Sequence, residues 1–130
     1  MSIWKNKSEN LIMPWGKITS FNSPFGMAGK IIYLGADERT SLKYYTRANQ
    51  CLFVLSGKVS VYAPDEREFG DIFTKDGNYF ELGPGDVILI QNGSPYRIKA
   101  LEDSVMIETL GGGICSYEYV RLEDDYGRTE

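Results

Sequence analysis

The sequence predicts a single all-β domain, a small sandwich or barrel. Strand-like runs recur along the chain at roughly 8–12-residue spacing, and Gly and Pro turns punctuate them. No segment carries a convincing helix of three turns, and there is no internal repeat. At 130 residues the chain is long enough to close one core without help from disulfides or metal.

Met1 to Asn10 is polar apart from Ile3 and Trp4 and reads as a loose arm or an added edge strand. After Met13-Pro14-Trp15-Gly16 comes a short β-like run from Lys17 to Phe21, then turn chemistry from Asn22 to Gly26. Lys30 to Leu34 and Thr40 to Thr46 read as strands joined through Gly35-Ala36-Asp37-Glu38. Cys51 to Leu55 is continuously apolar, the pattern of a strand covered on both faces. Beyond Ser56-Gly57-Lys58, Val59 and Val61 alternate with Ser60 and Tyr62, as in a half-buried strand.

Ala63 to Asn78 is a long, charged connection, of a length that suits either a functional loop or a solvated insertion. Tyr79 to Leu82, Asp86 to Gln91, Tyr96 to Lys99 and Ser104 to Leu110 are further strands, the last ending at Gly111-Gly112-Gly113. That glycine run is not a phosphate loop, because no helix or Lys-Ser/Thr follows it. A strand-like YEYVRL and a charged tail complete the chain.

A net charge of −4 gives no general attraction for nucleic acid or an anionic membrane, although a local basic pocket is compatible with it. No apolar run approaches the roughly 20 residues that span a bilayer, and MSIWKNKSEN lacks the apolar centre of a signal peptide. The expectation is a cytoplasmic protein. Cys51 and Cys115 are too few for a disulfide framework and read as buried thiols or as one bridge.

Two stretches carry a family resemblance. In LGPGDVILIQNGSPY, Gly85 is followed by five residues, then Gln91-Asn92-Gly93, two residues, and Tyr96, with Ala100 four positions on. In the first stretch, Gln50 lies seven residues before Gly57, preceded by Tyr44 and Thr46, or by Tyr45 and Arg47 in the neighbouring register. The spacing resembles the two motifs of the cupin superfamily. Pro14-Trp15-Gly16, Ser41-Leu42-Lys43-Tyr44 and above all Val120 to Arg128 (VRLEDDYGR) resemble the type II mannose-6-phosphate isomerases, cupins also found fused to mannose-1-phosphate guanylyltransferases.

The resemblance implies a double-stranded jelly-roll β-barrel around a ligand cavity, with residues 1–26 as arm and strand, 27–113 as barrel core and 114–130 as final strand and tail. It also implies a homodimer, and sugar-phosphate isomerisation at a metal held by histidines and a glutamate. This chain contains no histidine. Tyr96, Gln50 and the Tyr44/Thr46 or Tyr45/Arg47 pair stand at the ligand positions, so neither a metal nor another cofactor is expected. A rebuilt metal site would have to draw on Cys51, Glu81 or Glu108.

Tyr44, Thr46, Gln50 and Tyr96 are therefore expected to line the cavity, either as a hydrogen-bonded polar plug or as a carbohydrate-recognising pocket. Lys30, Lys43, Arg47 and Arg97 are candidates for gripping a phosphate or diphosphate, against the alternative of a solvated surface. The expected partner is a sugar phosphate or nucleotide sugar bound without metal. The alternatives are an isomerase or epimerase using Tyr96 or Tyr44 with a lysine for acid–base work, and a purely structural dimeric barrel. Trp4 and Trp15 are expected to plug a barrel end or anchor a subunit contact; the Glu123-Asp124-Asp125 run suits a cation, while the resemblance implies that it forms a structural clasp on the barrel.

Overall fold

A computed structural model describes residues 3–23, 26–64, 78–111 and 118–127. Eleven strands appear in these residues, with no α-helix among them. They are β1 (Glu9–Met13), β2 (Gly16–Asn22), β3 (Ala28–Leu34), β4 (Leu42–Tyr45), β5 (Asn49–Ser56) and β6 (Val59–Ala63), followed by β7 (Asn78–Leu82), β8 (Val87–Ile90), β9 (Arg97–Ala100), β10 (Ser104–Gly111) and β11 (Tyr119–Glu123). No helix of the described residues is long and apolar enough to cross a membrane.

One layer is a six-stranded sheet in the order β1-β2-β3-β10-β5-β8. The other is built from β7-β6-β9 and β11-β4, joined through antiparallel bridges of Lys43 with Tyr96 and Arg39 with Lys99. All named pairs are antiparallel, and β10 sits centrally between β3 and β5. Long-range pairing of this kind satisfies the backbone polar groups while inward side chains close the core.

Period-2 alternation decides what faces in. On β10, Ser104, Met106, Glu108 and Leu110 are buried, while Val105 and Ile107 between them are half-buried. On β5, Gln50, Leu52 and Val54 face the core with those residues, and Val59, Val61, Ile98 and Ala100 meet them from the other layer. Trp15 joins this core at 4% exposure, whereas Trp4 is 64% exposed. The first residues of the expected edge strand remain outside it: β1 begins at Glu9 and pairs with β2.

The apolar run of β5 suggested cover on both faces, and the described chain covers only one. Cys51 and Phe53 are half-buried on the outer side, and Leu55 is 54% exposed. Gly57 turns the chain from β5 to β6 at φ +88°, where a Cβ would lie 2.3 Å from Ser104 Oγ and 2.5 Å from the Asp103 carbonyl oxygen. Only glycine fits that backbone and that approach. The long connection at 65–77, Gly112 and Gly113, and Cys115 lie outside the described residues.

Candidate functional site

Inside the barrel the core changes from hydrocarbon to a polar cluster contributed by both layers. Tyr96, immediately before β9, is 2% exposed and donates its phenolic proton to Glu108 Oε2 at 2.6 Å. Glu108 is itself 1% exposed. Lys30 sits opposite Glu108 in the β3–β10 register and donates from Nζ to the Tyr45 hydroxyl at 2.6 Å. Gln50 donates from Nε2 to the Ala48 carbonyl, and its buried Oε1 has no hydrogen-bond partner among the described residues.

Cations and aromatic rings extend this cluster toward solvent. Tyr119 pairs with Tyr45 and Arg121 with Lys43 across β11–β4, which places the four side chains on one face. The Tyr45 and Tyr119 rings meet edge to face at 5.8 Å. Lys30 and Lys43 approach the Tyr45 ring at 5.3 and 5.4 Å, Lys43 also lies 4.8 Å from the Tyr119 ring, and Arg121 lies 5.6 Å from it. Cation–π attraction accounts for these placements. Lys30, Lys43, Tyr119 and Arg121 are half-buried, so this end of the interior reaches solvent.

Electrostatics keep the phenols protonated. Burial pushes Tyr96 well above the usual tyrosine range, and the Glu108 charge, Tyr45 and the hydrogen bond to Glu108 push the same way. Tyr45 is pushed up by burial, by Glu108 and by Tyr119. A buried phenolate near a carboxylate is disfavoured twice over, by lost hydration and by like charge.

Solved structures share this architecture. An oxalate decarboxylase of Bacillus subtilis superimposes with a TM-score of 0.72 at 18% identity, covering 94% of this chain and 33% of that one. KdgF from Halomonas sp. gives 0.61 at 17% identity, over 82% of this chain and 87% of that one. The cupin domain of Schizosaccharomyces pombe Cnp3 gives 0.61 at 18% identity, over 75% and 64% respectively. The chain has the cupin fold. It spans about a third of the oxalate decarboxylase and just under two thirds of the Cnp3 structure. No family model and no curated protein matches the sequence.

Cupins with metal chemistry need a convergent donor set, and the described residues do not fit one. Among the described residues no three His, Cys, Asp or Glu side chains gather around a common point. At the cluster's centre stand two phenols held protonated, an amide and a lysine. None of these is a strong metal donor in that state, and the ammonium would repel a cation. Of the three residues that a rebuilt site would have used, Glu108 is committed to Tyr96, Cys51 faces outward from β5, and Glu81 pairs with Lys58 at 3.6 Å.

The structure turns Tyr96, Gln50, Lys30 and Lys43 toward the interior and separates the remaining candidates from it. Tyr44 points to the opposite face of β4 from Tyr45, so the neighbouring register supplies the interior tyrosine. Thr46 is exposed and bonds through its backbone nitrogen and Oγ1 to the Glu118 carbonyl. Arg47 is exposed beyond the end of β4. Arg97 is buried on the outer face of β9, held by the Thr40 carbonyl at 2.9 Å and by Glu123 and Asp125 at 3.3 Å each.

Arg97 is thus one half of the clasp expected around Glu123-Asp124-Asp125, and Arg39 joins it through a bidentate pair with Asp125. Tyr45, Tyr119, Arg121 and Glu108 complete the interior site. Their alternation in LKYY, YVRLE and SVMIETLG was visible, but which parity faced inward was not.

Proposed function

We propose that this cupin is a binding module for a small anionic carbohydrate, of the sugar-phosphate class, taken into the barrel end lined by Lys30, Tyr45, Gln50 and Tyr119. The observation that carries the proposal is a pair of incomplete interactions on the inward face of the six-stranded sheet. Among the described residues, Lys30 directs its ammonium to a neutral phenol rather than to a carboxylate, and the buried Gln50 Oε1 accepts nothing. A sugar phosphate answers both, with an anion for the lysine and a hydroxyl donor for the amide. Tyrosine rings offer the flat apolar surface that sugar C–H faces prefer. The resemblance of VRLEDDYGR to sugar-phosphate cupins supports the same ligand class.

An acid–base isomerase has weaker support. A tyrosine that moves protons near neutral pH needs its pKa lowered, and both interior tyrosines are pushed up. Calorimetry and thermal shift with hexose 6-phosphates and the matching neutral hexoses test the proposal. Saturable binding of the phosphorylated sugars is expected, weakened at least tenfold by Lys30→Met and by Gln50→Leu. No response to any sugar phosphate, or binding that ignores both substitutions, overturns it. Solvent deuterium appearing in the recovered sugar would restore the isomerase reading.

A further inference from the structure

The face of the β7-β6-β9 sheet that turns away from the core carries a second cluster of polar and aromatic side chains. Cross-strand register aligns Tyr79, Tyr62 and Arg97 in one row and Glu81, Ser60 and Lys99 in the next, with Arg39 bridged to Lys99. Val59, Val61, Ile98 and Ala100 alternate with these residues and are buried in the core, so period 2 sets the cluster on the opposite face. A pocket of about 240 Å³ opens there, lined by Ser60, both tyrosines, Lys99, Glu123 and the two arginines. None of these residues belongs to the interior cluster around Tyr96 and Lys30.

Three kinds of group converge on this pocket. The Tyr62 and Tyr79 rings lie 4.9 Å apart at a tilt of 34°, and Tyr79 is 63% exposed, so aromatic surface is open to solvent. Both guanidiniums are already held, Arg97 by the Thr40 carbonyl, Glu123 and Asp125, and Arg39 by Asp125. Lys99 differs: it is exposed and forms no ion pair with a described residue. Glu123 is exposed and meets Arg97 through Oε1 alone, which leaves Oε2 to accept from a ligand. The neighbouring Glu81 is answered by Lys58 at 3.6 Å.

We infer that this outer pocket binds a free α-amino acid with an aromatic side chain. Its carboxylate pairs with Lys99 and accepts from the Ser60 hydroxyl, its ammonium meets Glu123, and its ring packs on Tyr62 and Tyr79. Charge selects this class. A simple anion satisfies Lys99 but is set against Glu123, a simple cation suffers the reverse, and a neutral ring leaves both charges to solvent. A zwitterion answers both. Tyr62 and Lys99 are diagonal neighbours across β6–β9, about 7–8 Å apart, a span that such a ligand bridges from ring to carboxylate. Exposed ion pairs and one ring contact each contribute little, so the expected affinity is millimolar.

Titration of the native chain with phenylalanine, followed residue by residue through its amide NMR signals, tests the inference. Saturable shifts are expected at Ser60, Tyr62, Tyr79 and Lys99, with the amides of Lys30 and Gln50 unmoved. Three analogues each remove one feature: 3-phenylpropionate lacks the ammonium, phenethylamine the carboxylate and alanine the ring. Each should bind at least fivefold more weakly, and this comparison needs no variant. Lys99→Met and Tyr79→Ala, both at exposed positions, should weaken phenylalanine binding by a similar factor. Absence of shifts at about 50 mM overturns the inference, and so do shifts confined to the interior strands β3 and β5. An analogue that binds as well as phenylalanine would assign the pocket to a simpler ligand and overturn it equally, as would binding that ignores Lys99→Met.

Discussion

Tyr96 and Glu108, twelve residues apart in sequence and on opposite layers of the barrel, are joined by a 2.6 Å hydrogen bond in which both side chains are almost wholly buried. The pair crosses the interior and ties the start of β9 to the central strand β10. Each group satisfies the other, and each becomes costly if left alone.

Tyr96→Phe is therefore expected to destabilise the chain by about 1–3 kcal/mol, because it leaves a carboxylate buried without its donor. Urea unfolding measures the loss. Tyr96→Phe combined with Glu108→Leu should cost less than the sum of the two single changes, since the double change removes both polar groups together.

Alkaline pH should loosen the same interior. Tyr45 and Tyr96 have folded-state pKa values raised above their ordinary value of 10.0, so the folded state holds these protons more tightly than the unfolded chain. Their stabilisation is fully present below about pH 10 and is lost as pH rises beyond it. The urea midpoint should fall steeply above pH 10, and the fall should be shallower in Tyr45→Phe.

Acid should act on the clasp with the opposite sign. The Arg39 hydrogen bond, then the Arg97 and Arg39 charges, hold Asp125 below its ordinary value of 3.8, against a smaller opposing effect of burial. This stabilisation is present above about pH 3.8 and is lost as pH falls through the lowered value. Asp125→Asn should lower the urea midpoint at about pH 7 and differ less from the native chain below pH 3. The partial exposure of Arg39 and Asp125 makes their own pair a modest contributor, while the buried Arg97 left short of a carboxylate adds to the loss.

Gly57→Ala is expected to cost more than about 1 kcal/mol, because alanine disfavours φ +88° and its methyl would strike Ser104 and the Asp103 carbonyl. Gln50→Leu should behave in reverse, keeping or raising thermal stability by removing an unpartnered buried oxygen, while weakening ligand binding. Melting temperatures of the two variants without ligand separate these outcomes.

The strands, their turns and the cupin spacing were legible because each depends on local chemistry. Alternating residues such as Val59 and Val61 declare a half-buried strand, and Gly57 declares a tight exit, before any partner is known. Gln50 and Tyr96, which the cupin resemblance set toward a cavity by their spacing to Gly57 and Gly85, are both buried. Arg97 looked like a phosphate ligand because an arginine beside a motif residue carries no mark of the face it will occupy.

Composition and pattern alone thus determined an all-β chain without histidine, and the resemblance of its two glycine-punctuated stretches implied the cupin architecture. Tertiary structure alone decided that Tyr45 rather than Tyr44 faces inward, that Glu108 receives Tyr96, and that Arg97 serves the clasp. The physical reason is that strand periodicity specifies two faces without naming the inner one. Inside and outside become distinct only when two layers close on each other, and every side-chain partnership follows from that choice.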